Sequence, residues 1–329
     1  MGHVKTGGIA VAVLMLTSGC SGPSDTAAAP RSAEPSTPDP TTATPNLQNH
    51  PCEPLPDMPR GRIAYTQTRD DGTAAIYLMK PDGTDRRCLV DTAGPDSSPT
   101  WSPDGQSLAF VGGTADQADI FTVRADGTRL RQVTDTPAYE EGPEWSPDGH
   151  QIAYSSEENE GSFSVRVMAA DGSHDEAIVS SGPRMEYVGL TTWSPDGTLL
   201  FGADQGGGIT LWSMNSDGSN RRLLRSATGD FGAGAAFSPD GKAVAFQADL
   251  NGGCIYRSDP EFKHLVRLTQ GCVDGFDISW SADGNWIIWA GGAHGPADAE
   301  VMARDGSQRH TVIDSGDVAY VDWQPQPPG

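Results

Sequence analysis

One five-residue element recurs along this chain at an almost fixed interval. Trp101-Ser-Pro-Asp-Gly105 returns as Trp145-Ser-Pro-Asp-Gly149, Trp193-Ser-Pro-Asp-Gly197, Phe237-Ser-Pro-Asp-Gly241 and Trp280-Ser-Ala-Asp-Gly284. A degenerate copy, Asp322-Trp323-Gln324-Pro325, stands near the end. The aromatic residues are 44, 48, 44, 43 and 43 positions apart. Such a period means that one supersecondary unit is stacked repeatedly, since a unit so small cannot bury its own apolar face. Turn chemistry identifies the unit. Proline presets the first turn position, aspartate accepts hydrogen bonds from amides two residues on, and glycine takes a positive φ without steric cost. These are hairpin connections.

Between the copies, apolar residues alternate as in strands: Leu108/Phe110, Ile152/Tyr154, Val244/Phe246 and Ile287/Trp289. A further strand, at residues 76–79, 120–123 or 210–213, ends in an Asp-Gly turn. These turns are Asp82-Gly83, Asp126-Gly127, Asp171-Gly172, Asp217-Gly218 and Asp305-Gly306, with Asp259-Pro260 in the fifth unit. A last strand runs through Leu89, Val133, Ile178, Leu223, Leu268 or Val312. Four short antiparallel strands per unit describe a propeller blade. The first unit, from Gly61, lacks an inner strand, and the stretch 318–323 lacks the outer three. Joined, they make one blade, and the count becomes six. The expected fold is therefore an all-β, six-bladed propeller over residues 52–329, closed by pairing the C-terminal strand with the N-terminal blade. The aromatic residue ahead of each turn reads as a wedge between neighbouring blades.

These repeats resemble the propeller repeats of the TolB family, whose units carry the same aromatic-Ser-Pro-Asp-Gly element followed by an Ile-Ala-Phe/Tyr strand. The resemblance covers residues 61–325. It implies a binding propeller of the bacterial cell envelope, with another envelope protein as partner. TolB itself carries an α/β domain before its propeller and partners the lipoprotein Pal. Here a linker takes that domain's place, and the layout looks more like the TolB-like propeller lipoproteins of Gram-positive envelopes.

The N-terminus has a signal-peptide layout. Lys5 precedes an apolar run at residues 9–16, followed by Thr17-Ser18-Gly19 and Cys20. The run is too short to span a bilayer. Small residues before a cysteine resemble a lipobox, with Thr17 in its usual leucine slot, so residues 1–19 are expected to be cleaved and Cys20 lipidated. Residues 20–51 are rich in Pro, Ser, Thr and Ala, with almost no large apolar side chain. Such a segment has too little to bury to offset the entropy of ordering. The expected location is the extracytoplasmic face of the cell membrane, with the lipid as the sole membrane contact. Four further cysteines in an exported chain suggest two disulfides. Cys254 opens a third strand and Cys272 follows a fourth, which favours a Cys254–Cys272 bridge and leaves Cys52 with Cys88.

A net charge of −22, with only Lys5, Lys80, Lys242 and Lys263 as lysines, excludes the basic footprint that nucleic acid requires. Numbering strands from the channel outward, the Ser-Pro-Asp-Gly and Asp-Gly turns share one rim and are nearly invariant. The opposite rim carries loops that differ in every blade (112–119, 136–143, 156–163, 181–189, 227–234, 271–277 and 291–299), where binding normally resides. It is acidic, with Arg69, Arg184 and Arg225 as its few cations. The loops that enter the first strands set aromatic residues beside charges. This gives a candidate binding rim of Tyr139, Glu140, Glu141, Arg184, Glu186, Tyr187, Asp230, Phe231, Asp274, Phe276, Asp277, His294, Asp317 and Tyr320, for an envelope protein or cationic ligand. The alternative for each aromatic is that it plugs its own blade. Enzyme signals are poor: there is no Gly-x-Ser-x-Gly elbow and no His-Glu-x-x-His or Cys-x-x-Cys spacing. No catalytic residue, cofactor or metal is expected, and the chain reads as a monomer. Two other readings stay open. One is a metal-dependent channel-mouth enzyme acting on a sugar or lactone. The other is a sensor domain for a neighbouring membrane protein.

Overall fold

The computed structural model describes residues 61–325, apart from 70–72, 93, 115–116, 160, 183–184, 186, 205, 207, 226–230, 249–253, 271–273, 293–297 and 316. Twenty-four strands form six four-stranded antiparallel sheets. Blade 1 combines β24 (Val318–Trp323) with β1 (Ile63–Thr68), β2 (Ala74–Met79) and β3 (Arg87–Val90). Blade 2 is β4 (Ser97–Trp101), β5 (Ser107–Thr114), β6 (Gln117–Arg124) and β7 (Arg131–Gln132). Blade 3 is β8 (Tyr139–Trp145), β9 (Gln151–Asn159), β10 (Ser162–Ala169) and β11 (Glu176–Ser180). Blade 4 is β12 (Tyr187–Trp193), β13 (Thr198–Asp204), β14 (Ile209–Asn215) and β15 (Arg222–Arg225). Blade 5 is β16 (Phe231–Phe237), β17 (Val244–Ala248), β18 (Cys254–Ser258) and β19 (Val266–Arg267). Blade 6 is β20 (Asp274–Trp280), β21 (Trp286–Gly292), β22 (Ala299–Ala303) and β23 (His310–Ile313).

The ring closes through β24, which pairs antiparallel with β1 from Ile63↔Trp323 to Gln67↔Val318. The apolar clusters straddle the seams between blades. One joins Ile63 and Tyr65 of blade 1 to Ile288 and Val301 of blade 6. Two wedge tryptophans also reach across a seam by hydrogen bond. The Trp193 indole donates to the Glu144 carbonyl at 3.0 Å, and that of Trp280 to the Ala236 carbonyl at 2.9 Å.

The turn rim is built as its sequence requires. In all five Ser-x-Asp-Gly turns the serine hydroxyl donates to the aspartate two residues on, as from Ser146 to Asp148 at 2.6 Å. Each glycine of these turns has a positive φ. The Asp-Gly turns use glycine for a second reason. A Cβ on Gly83 would lie 2.2 Å from the Val312 carbonyl oxygen, and one on Gly172 would lie 2.4 Å from that of Val133; with Gly218 on Ile178 and Gly306 on Leu268, the turns of blades 1, 3, 4 and 6 dock against the outer edge of the blade before. Asp259-Pro260 forfeits that glycine. Its turn keeps a left-handed residue at Phe262 (φ 55°), the place taken by Asp85, Arg129, His174, Asn220 and Gln308 in the other blades.

Candidate binding site at the channel mouth

The inner strands β4, β8, β12, β16, β20 and β24 follow one another around the axis. Each runs from the variable rim to the turn rim, and each loses register against its neighbour part-way along, for example between Glu141 and Glu144. Such bulges re-aim side chains. In three consecutive blades the bulge holds a residue with positive φ: Tyr320 (47°), Ser98 (51°) and Gly142 (56°). For the bulky Tyr320 that conformation is strained.

Electrostatic coupling shows where the inner-strand side chains point. Burial pushes the Tyr320 phenol up to about 12, and the charges of Glu141 and Asp277 push the same way. Glu141 is on blade 3, Asp277 on blade 6 and Tyr320 on blade 1, so these groups converge on the axis. Glu144 and Asp277 are held well above the usual carboxylate range, first by burial and then by the Asp322 charge. Asp322 is raised to about 6 by burial, against hydrogen bonds from the Trp101 amide and the Ser279 hydroxyl, both at 2.7 Å. Glu141 is raised by burial and by Glu157. None of these four carboxylates forms an ion pair among the described residues. All four keep partial solvent access, as groups lining a wet channel would. At the mouth, Tyr139 is half-buried and Asp317 exposed.

The structure corrects the acidic rim at several points. Glu140 is fully buried, and its carboxylate accepts the hydroxyls of Thr134 and Thr136, so it fastens a loop and faces no partner. Asp96 does the same work in blade 2. It is fully buried and accepts the Thr92 amide at 2.7 Å and the Thr92 hydroxyl at 2.6 Å. Burial pushes both acids up to about 7. Asp119 is buried beneath Gln132 and Thr136. The Arg69 guanidinium is engaged by Asp91 at 2.7 Å. The rim's acidity therefore reduces, among the described residues, to the channel set and a few exposed groups such as Asp317.

Sequence reasoning missed the closure residues. Gln324 takes the serine position of the repeated element. Its Oε1 accepts the Gly61 and Arg62 amides at 2.8 and 3.0 Å, and its Nε2 donates to the Gly105 carbonyl at 2.8 Å. Asp322 ties β24 to β20 and β4 through Ser279 and Trp101. The worn last copy was the available signal, because a repeat that closes a ring needs different partners from one that continues it.

Of the remaining candidates, Tyr187, Phe231, Asp274 and Phe276 lie at the rim ends of their inner strands, where the backbone alone is placed. Arg184, Glu186, Asp230, His294, Cys20, Cys52 and Cys272 lie outside the described residues. Cys88 is on β3, and Cys254, at the start of β18, is buried in the core of blade 5. Among the described residues no three His, Cys, Asp or Glu side chains are gathered as a metal ion would need.

The family model for the TolB beta propeller domain matches residues 56–235. The chain belongs to the TolB propeller family. A TolB homolog of Chlorobium luteolum is 36% identical over 170 residues, which are 52% of this chain and 38% of that protein. The Tol-Pal system protein TolB of Actinobacillus succinogenes is 40% identical over 52 residues, 16% of this chain and 12% of that one. The chain thus matches well under half the length of these TolB relatives. Among solved structures, TolB from Acinetobacter baumannii superposes with a TM-score of 0.71 at 20% identity, over 81% of this chain and 67% of that one. A chain of a nidogen/laminin complex superposes with a TM-score of 0.67 at 12% identity, over 82% of this chain and all of that one. An oligogalacturonate lyase bound to manganese reaches 0.53 at 17% identity, over 75% of each chain. These structural likenesses show the TolB-like fold and leave function to the site itself.

Proposed function

We propose that this TolB-family propeller is an extracytoplasmic binding protein, anchored through lipidated Cys20, that receives a cationic segment of another envelope protein at the variable-rim mouth of its channel. One observation carries the reading: Glu141, Glu144, Asp277 and Asp322 converge on the axis without an ion pair among the described residues. A fold that holds so many buried carboxylates without cations has kept charge where a cationic ligand gains most from it. The Tol-Pal system name of one relative fits an envelope partner. The aromatic residues Tyr139 and Tyr320 would supply the apolar contact area that such interfaces concentrate.

The test is titration with an oligolysine peptide. Binding should weaken with salt and should fall about tenfold in Glu141→Gln/Asp317→Asn. The same change at the turn rim, Asp171→Asn, should leave binding as it was. Affinity that ignores both salt and the channel variant would end the proposal. The anchor and the Cys52–Cys88 and Cys254–Cys272 bridges belong to the same reading. Intact and non-reduced peptide masses of the membrane-extracted protein check them.

A further inference from the structure

We propose that the outer edges of blades 4 and 5 form a basic, apolar strip that lies on an anionic lipid surface. Among the described residues two large hydrophobic side chains are exposed, Leu223 at 45% and Val266 at 46%. They stand on β15 and β19, the outermost strands of adjacent blades. The Arg225 guanidinium of β15 donates to the Phe262 carbonyl, in the turn that leads to β19, at 3.3 Å, which ties the two edges together. Leu224 of β15 and Leu265, just before β19, pack against one shared cluster. Leu223 and Val266 are left on the exposed side of these two edges.

The charge around them reverses that of the whole molecule. No Asp or Glu occurs at residues 218–229 or 262–273, while Arg221, Arg222, Arg225, Lys263 and Arg267 do, in a chain of net charge −22; Lys263 is paired with Glu261 at 3.8 Å, so the arginines carry the patch. Arg221 spends its hydrogen bonds on the carbonyls of Gly218 and Ile178, and Arg267 on that of Thr269, so their positive charge stays uncancelled. Arg222 is exposed and in no ion pair among the described residues. On two other outer strands the cations are cancelled, Arg87 by Asp85 and Arg309 by Glu300, whereas Arg131 of β7 donates to the Asp171 carbonyl much as Arg221 donates to that of Ile178. A recess of about 310 Å3 is lined by Arg267, Leu268, Thr269 and Gln270. It gives a phosphate headgroup a recess beside a cation.

Cations flanking exposed aliphatic side chains are the pattern that anionic bilayers attract. Edge-strand cations also discourage strand pairing between molecules, but that role does not call for exposed Leu223 and Val266. The strip draws on the proposed anchor in one respect. About 40 residues lie between Cys20 and Gly61, and a flexible tether of that length spans roughly 35 Å. A weak surface contact would then be made at high local concentration.

The test does not use the anchor. The full chain carrying Cys20→Ser is sedimented with vesicles of phosphatidylglycerol and phosphatidylcholine, and with vesicles of phosphatidylcholine alone. Binding to the anionic vesicles should be about tenfold greater and should disappear at about 0.5 M salt. Arg222→Glu/Arg267→Glu should abolish it, and Leu223→Ser/Val266→Ser should reduce it, both at wild-type thermal midpoints. Oligolysine binding at the channel mouth should be the same in both variants, which separates failure of the strip from failure of the proposed function. Equal binding to both vesicle types, no binding, or undiminished binding by the charge-reversed variant would overturn the proposal. So would capture of soluble polyglutamate without vesicle binding, which would mark the strip as a dock for an acidic protein.

Discussion

The aspartates of the turn rim and the carboxylates of the channel are the same chemistry put to opposite use. At the turn rim, Asp148, Asp240 and Asp283 each accept a serine hydroxyl and a backbone amide, and these bonds hold them below the usual carboxylate range. Asp82, Asp126, Asp171, Asp217 and Asp305 do likewise with the Thr or Ser two residues on. There the ionised form is the one the turn is made from. In the channel, burial raises Glu141, Glu144, Asp277 and Asp322, and the Asp322 charge adds to it at Glu144 and Asp277. There the ionised form is a cost that the rest of the fold must offset. The frame is built from charges already satisfied; in the channel Asp322 and Asp277 are hydrogen-bonded, while the carboxyls of Glu141 and Glu144 accept no hydrogen bond among the described residues.

The largest way to break the frame is at the closing turn, where Gln324→Ala strands the Gly61 and Arg62 amides and the Gly105 carbonyl. Three unsatisfied groups should lower stability by about 3 kcal/mol, read from urea unfolding. The next variant sharpens what glycine does on that rim. Gly83 and Gly197 have nearly equal φ, 77° and 83°, but only at Gly83 would a Cβ strike another blade. Gly197→Ala should cost about 1 kcal/mol for the left-handed backbone alone. Gly83→Ala should cost about 1–3 kcal/mol more, since overpacking adds to the strain, and equal losses would remove the seam from the explanation. Ser146→Ala should lower stability by about 1 kcal/mol, because Asp148 loses one of its two donors and the Gln151 amide loses the Ser146 hydroxyl. The smallest expected effect has the opposite sign. The Glu144 carboxyl accepts no hydrogen bond among the described residues, so Glu144→Gln should stabilise the protein by up to about 1 kcal/mol at neutral pH.

The ring was legible because its grammar is local. Ser-Pro-Asp-Gly and Asp-Gly specify their turns wherever they occur, and alternation such as Ile152/Tyr154 specifies the strand that follows. Even the closing pair could be read, as two incomplete units that complement each other. The channel was less legible because register decides it. A bulge in each inner strand changes which residues face the axis, so Glu140 turned into the wall while Glu144, absent from the sequence candidates, turned to the channel. Nothing in Thr134-x-Thr136-x-x-x-Glu140 taken alone says that the two hydroxyls will be satisfied by that carboxylate. Gln324 was missed for a related reason, since its partners are more than 200 positions away in sequence.

The difference between the two acid sets predicts the direction of pH dependence. For Asp96, Glu140 and Asp322, the folded values of about 7, 7 and 6 stand above ordinary values of 3.8 to 4.5. Between about pH 4 and about pH 7 the native state then binds more protons than the unfolded chain, so stability falls as pH rises through that window. The turn-rim aspartates, with depressed values, lend stability above their ordinary value of 3.8 that is lost only as pH falls below it. The most direct measurement is urea unfolding of the wild type and Glu144→Gln at about pH 5.5 and about pH 7.5. The wild type should be more stable at the lower pH, and the gap should narrow in the variant. A gap that did not narrow in Glu144→Gln would mean that the channel carboxylate is compensated after all, since Asp96 and Glu140 in the wall contribute equally to both proteins.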